Sequence, residues 1–236
     1  MNDLFNDNII LLEPEHKYQL KSDLDFEFKS VTELASIYFE PFNEVAIASK
    51  LVAEHRRYAG MEVQELISKW HNARDYGTKV HEQIELYLNN DSIPDTAEAS
   101  VAIDWLKKYQ MKSDIKIHTE VRVYSKELKL AGSIDILAYD KNTDMYEILD
   151  WKTSKSIEQT SFNGKMGRHP ITSHLMDCNY IHYSMQLSFY RYLLEEYYGI
   201  TVNNQLIVHL KKNECVPHVA DYYKQEVINI LEHQKN

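Results

Sequence analysis

Two apolar runs, Leu130 to Tyr139 and Tyr146 to Trp151, are separated by little more than the polar turn Lys141-Asn-Thr-Asp144. Such spacing commits the middle of the chain to an antiparallel hairpin. A four-residue loop at Lys141 to Asp144 sets Asp140 against Met145, and paired residue numbers then keep a constant sum. Asp135 therefore falls opposite Asp150, with Cβ atoms ~5 Å apart on one face. Strand side chains alternate, so Lys152 shares that face with Asp150. Two opposed carboxylates repel unless a proton or a cation stands between them. A hard divalent ion such as Mg²⁺ would relieve the repulsion. Self-pairing of Asp150 with Lys152, as on an ordinary solvated strand, is the structural alternative. The apolar flanks Ile148-Leu149 and Ile134-Asp-Ile-Leu137 favour pairing or a metal over plain solvation.

The rest of the chain frames this hairpin. Ser30-Val31-Thr32-Glu33 resembles a capping box and opens a short helix from about Thr32 to Phe39, stopped by Pro41. Apolar spacing predicts helices over Val45 to Tyr58, Val63 to Tyr76 and Lys79 to Leu88, with Gly77-Thr78 as an interruption, and over Glu98 to Tyr109. Glu120 to Tyr124 alternates as a strand. Cys178 to Tyr198 is an aromatic-rich helix ended by Gly199, Gln205 to Leu210 a strand, and Val219 to His233 a closing helix. The expected fold is α/β (α+β), a central mixed sheet flanked by helices. The expected organisation is one domain over 1–236, with a mainly helical part at 1–111 carrying His81 and a sheet core at 112–236.

Composition narrows the chemistry. Lys and Arg number 26 against 36 Asp and Glu, a formal charge of −10 in 236 residues, which by itself argues against a nucleic-acid partner. Two cysteines, Cys178 and Cys215, cannot build a disulfide framework, a four-cysteine zinc site or a four-cysteine iron–sulfur cluster. No apolar stretch approaches the ~20 residues of a membrane span, and the N-terminus has no basic start or cleavage site. A soluble protein of a reducing compartment is expected. Away from the hairpin, His81 and Glu85 stand one helical turn apart, off the Val80/Ile84 stripe, and Gln186 and Tyr190 share a helix face. Each pair alone fits ordinary packing.

Taken in order, Gly77-Thr78-x-x-His81, Gly132-Ser-Ile-Asp135, Asp150-Trp151-Lys152-Thr153 and Gln186-x-x-x-Tyr190 resemble the RecB-like branch of the PD-(D/E)XK nuclease superfamily. Ser30-Val-Thr32, Phe39-Glu-Pro-Phe42 and Trp70 further resemble phage-type exonucleases and the mitochondrial genome maintenance exonuclease. The resemblance implies a restriction-endonuclease-like core. It implies that His81, Asp135, Asp150 and the Trp151 backbone carbonyl ligate Mg²⁺ or Mn²⁺, with Asp135, Asp150 and Lys152 as the catalytic set. Gln186 and Tyr190 would orient DNA or support the site. Thr153 and Glu120 also match. Glu120 could bridge a second metal or pair with Arg122 or a core lysine.

Iron–sulfur members of the family need four cysteines, so that subtype is not expected. No phosphate-binding G-x-x-x-x-G-K-[ST] loop is present, so any helicase or recombinase would be a separate protein. The implied activity is a metal-dependent DNA exonuclease acting on single strands or free ends in replication, repair or recombination. The same motifs serve structure-selective or sequence-specific endonucleases, and a non-catalytic DNA-binding subunit is a further alternative. A phage-infected or bacterial cytoplasm, or an organelle, would suit such a chain. Lys155, Lys165 and Arg168 lie on the segment Ser154 to Asp177, which could grip phosphates, with Phe162 or Tyr180 stacking on bases. The negative total is then compatible with DNA if the basic residues line a narrow channel.

Overall fold

The computed structural model describes residues 2–4, 8–12 and 17–235. Three strands come first: β1 (Ile9–Leu12) and β2 (Lys17–Leu20) pair antiparallel as a two-stranded sheet, and β3 is the short Lys29–Ser30. Helix α1 (Val31–Ser36) starts where Ser30 Oγ accepts from the Glu33 amide at 3.0 Å. Helix α2 (Glu44–Glu54) is capped likewise by Asn43, and a 3₁₀ turn (Arg56–Tyr58) leads to α3 (Val63–Asn90). α4 (Ala97–Gln110) precedes the long strands β4 (Ile115–Ser125), β5 (Leu130–Asp140) and β6 (Met145–Lys152). α5 (Asn179–Tyr198), β7 (Val202–Lys211), β8 (Glu214–Val219) and α6 (Lys224–Lys235) complete the order. Among the described residues no helix is long and apolar enough to cross a membrane.

Six strands form the mixed central sheet. β5 pairs antiparallel with β4 and with β6, and parallel with β3. β6 runs parallel to β7, and β8 closes the edge antiparallel to β7. One face packs on α1, α5 and α6 through residues such as Leu34, Leu187 and Ile230. The other packs on α4 and the C-terminal half of α3 through Val80, Ile84, Ala102 and Leu106.

The structure departs from the sequence expectation in these features. α3 runs unbroken through Gly77 and Thr78, because Gly77 is buried where the helix approaches another segment closely. β8 is a strand the sequence reading lacks, and the closing helix begins at Lys224 instead of Val219. β8 contains Pro217, which an edge strand tolerates because one side of its backbone need not enter a ladder. The mainly helical part at 1–111 also holds β1, β2 and β3. A further difference is a change of face. In β4, Ile115 and Ile117 pack on the α4 side whereas Val121 and Val123 pack on the α5 side. β5 switches in step, with Leu130 and Ile134 on the α5 side and Ile136 and Ala138 on the α4 side. Strict alternation would keep each set on one face. The switch occurs at Glu120 and Asp135, and Glu120 has a φ of 47°, rare for a residue with a side chain.

Candidate active site

The hairpin register is the one the turn arithmetic demands: Asp140 pairs with Met145, and the ladder runs to Ile136 and Leu149. There it ends, one step short of Asp135 and Asp150. In place of a further rung, the Trp151 amide donates to the Asp135 carboxylate at 2.8 Å. The two acids thus stand at the mouth of a fork between β5 and β6. The far side of β6 stays joined to β7, with Asp150 beside Ile207 and Lys152 beside His209.

Alternation gives β6 its chemistry. Leu149 and Trp151 fill the core on the α4 side, which sends Asp150 and Lys152 to the α5 side. Asp150 is only 4% exposed, and Lys152 Nζ lies 2.5 Å from its Oδ2. The same ammonium stands 4.7 Å from the centre of the Tyr183 ring in α5, a cation–π contact. Burial works against the lysine's charge, but Asp150 and Asp135 outweigh it and hold the ammonium above the ordinary lysine range. Burial also pushes the Asp150 carboxyl up, against the pull of Lys152.

α3 supplies the opposite wall. His81 lies off the buried Val80/Ile84 stripe, and its Nδ1 is 3.4 Å from Asp135 Oδ2. His81, Glu85, Thr119, Glu120, Asp135 and Trp151 line a narrow recess here. Glu120 is turned in among these acids, and its carboxyl is pushed up to about 8 by burial and by Asp135 and Glu85, with Arg122 opposing. Thr153 stands against Gly77, so the exit of β6 and the helix carrying His81 are in direct contact.

α5 contributes Gln186 and Tyr190. Gln186 Nε2 donates to Thr32 Oγ1 and to the Tyr190 hydroxyl, each at 3.2 Å. Tyr190 is buried over Gly132, where a Cβ would come within 2.5 Å of its ring. The four motif segments therefore meet in space. Lys155 is exposed just beyond the fork. Arg168 is exposed too, but its backbone amide is tied to the Tyr38 carbonyl at 3.2 Å, at the end of α1. Phe162 is 78% exposed, whereas the Tyr180 hydroxyl is engaged by the Val219 carbonyl. Tyr183 escaped the sequence reading. Its place three residues before Gln186, on the same helical stripe as Tyr190, was the available signal.

A profile of the PD-(D/E)XK nuclease superfamily matches residues 53–234. The chain belongs to that superfamily. A search of curated proteins gives no match. Among solved structures, "Crystal structure of SSO0001" is similar at 13% identity over 89% of this chain and 77% of that one, with a TM-score of 0.40.

Nucleases of this superfamily generally use divalent metals such as Mg²⁺. Among the described residues no three His, Cys, Asp or Glu side chains converge on one point. Lys152 takes up Asp150 in the nuclease, and the Trp151 amide takes up Asp135. The donor set is nevertheless that of a hard divalent cation, carboxylate oxygens with an imidazole. The Lys152 ammonium already meets Asp150 Oδ2 at 2.5 Å, so a metal ion would share that carboxylate with the lysine.

Proposed function

We propose that this nuclease is a metal-dependent DNA exonuclease of the RecB-like branch, hydrolysing phosphodiester bonds from single-stranded or frayed ends. One observation carries the reading: the buried Lys152–Asp150 pair at a sheet fork, with Asp135 on the other prong. Residues 1–236 would act as one unit, the helical part contributing His81 and the sheet core the acids and the lysine.

Asp135 and Asp150 would hold Mg²⁺ or Mn²⁺, with His81 and the Trp151 carbonyl as further ligands. Such a cation supplies Lewis acidity toward the phosphate and lowers the pKa of a bound water. The protein's own groups do the rest. Lys152, held protonated, is an electrophile for the non-bridging oxygens and cannot serve as a base in this state. A water oxygen bonds to phosphorus and gives up a proton to solvent, the P–O3′ bond breaks, and the leaving 3′-oxygen takes up a proton from solvent. Asp150 fixes the ammonium, and the Trp151 amide orients Asp135. Gln186 and Tyr190 brace the wall formed by Gly132 and Thr32, and Thr153 braces α3. Glu120 adds a carboxyl to the same recess. Lys155 and Arg168 would meet phosphates along the strand, beside any separate helicase or recombinase that delivers it.

The test is to incubate Mg²⁺-loaded protein with circular and linear single-stranded DNA of one sequence. The expected result is loss of the linear form alone. An opened circle would make the chain an endonuclease, and two intact substrates would make it a binding subunit.

A further inference from the structure

His209 lies beside Lys152 in the parallel ladder between β6 and β7. Its neighbours Val208 and Leu210 fill the α4 side, so its own ring is on the α5 side with Lys152. The residue is 3% exposed, and an imidazole so buried is costly unless its nitrogens are engaged. Its Nε2 is 2.6 Å from the Ser154 carbonyl oxygen. A carbonyl can only accept, so Nε2 carries the proton and donates.

That bond falls where restraint would otherwise lapse. β6 ends at Lys152, and the sheet no longer fixes the chain beyond it. Thr153 is then held against Gly77 of α3, and Ser154 is held by His209 of β7. The two residues after Lys152 are each tied to a different element. A lysine side chain has four rotatable carbons and a point charge at its end. The place of its ammonium is therefore only as definite as the backbone beneath it.

We propose that His209 is a positioning residue: through the Ser154 carbonyl it fixes the exit of β6 and keeps the Lys152 ammonium on Asp150. The role rests on Lys152 acting on phosphate as described above. His209 itself touches neither substrate nor reacting atoms.

Three variants test it. His209→Gln keeps an N–H near the Nε2 position, His209→Leu keeps bulk without a donor, and His209→Asn carries an amide too short to reach. Two quantities are read on each: cleavage of linear single-stranded DNA with Mg²⁺, and amide hydrogen exchange of residues 153–156. His209→Leu and His209→Asn are expected to lower kcat about tenfold or more, with KM changed by less than about twofold. Both should also speed exchange at 153–156. His209→Gln should return both quantities close to wild type. Equal impairment in all three, or unchanged exchange in His209→Leu and His209→Asn, overturns the proposal. If His209→Leu does not fold, the Gln–Asn contrast decides alone. Wild-type protein without turnover would sink the nuclease reading, while the exchange contrast would still report whether His209 holds the strand exit.

Discussion

A Cβ placed on Gly77 would stand 2.7 Å from the Thr153 hydroxyl oxygen, so the helix carrying His81 meets the exit of β6 where only glycine fits. In most helices Gly→Ala gains about 1 kcal/mol. Here Gly77→Ala is expected to lose about 1–2 kcal/mol, because overpacking outweighs propensity. Adding Thr153→Ala removes the obstructing oxygen and should recover the loss. Urea denaturation of the two single variants and the double checks the coupling. Additive effects would mean that the two residues do not press on one another.

The buried ion pair predicts its own double-variant cycle. Asp150→Asn and Lys152→Met should each cost about 3 kcal/mol, since each leaves a buried partner unmatched. The double variant should be more stable than either single one. Cleavage should fall about a thousandfold in Lys152→Met, the scale of losing a charge aimed at the transition state. Near-normal turnover by that variant would remove Lys152 from the chemistry.

Glu120 predicts a pH dependence. Its carboxyl is ordinary, near 4.5, when unfolded and lies at about 8 when folded. Below the lower value both states hold the proton. Between the two values only the folded state holds it, so stability falls as pH rises through that window. The slope is at most about 1.4 kcal/mol per pH unit. In EDTA, Glu120→Gln should match wild type near pH 4.5 and exceed it at pH 8 in chemical denaturation. Parallel curves across that range would contradict the shift.

Lys155 and Arg168 predict a salt effect. If each meets one phosphate of a single strand, replacing both with Ala should reduce the slope of log K against log salt by about 1.4. Fluorescence anisotropy with labelled single-stranded DNA measures it. An unchanged slope would leave both side chains as plain surface charges.

Much of the site was legible because it rests on local rules. The turn Lys141 to Asp144 sets the register as far as Ile136 and Leu149, which brings Asp135 and Asp150 to one end of the ladder but not into the expected pair. Gly199, at a φ of 66°, ends α5 where its lack of a side chain says it should. What stayed hidden depends on distant partners. Gly77 reads as a break until Thr153 is seen beside it. β8 is not read from the sequence at all, and its Pro217 is tolerated because the strand is an edge. The change of face at Glu120 goes with a positive backbone angle that no residue pattern encodes. His209 reads as one more strand residue until the Ser154 carbonyl is found at the end of its ring.

The fork has a mechanical consequence. Had the ladder run one pair further, interstrand geometry would have locked the two acids at about 5 Å. Instead the prongs part at Ile136 and Leu149, and the Trp151 amide spans from one to the other. A single hydrogen bond of this kind contributes about 1 kcal/mol, little resistance to a small opening or closing. A cation held between the two aspartates would then meet prongs that the β5–β6 ladder does not lock at a fixed width.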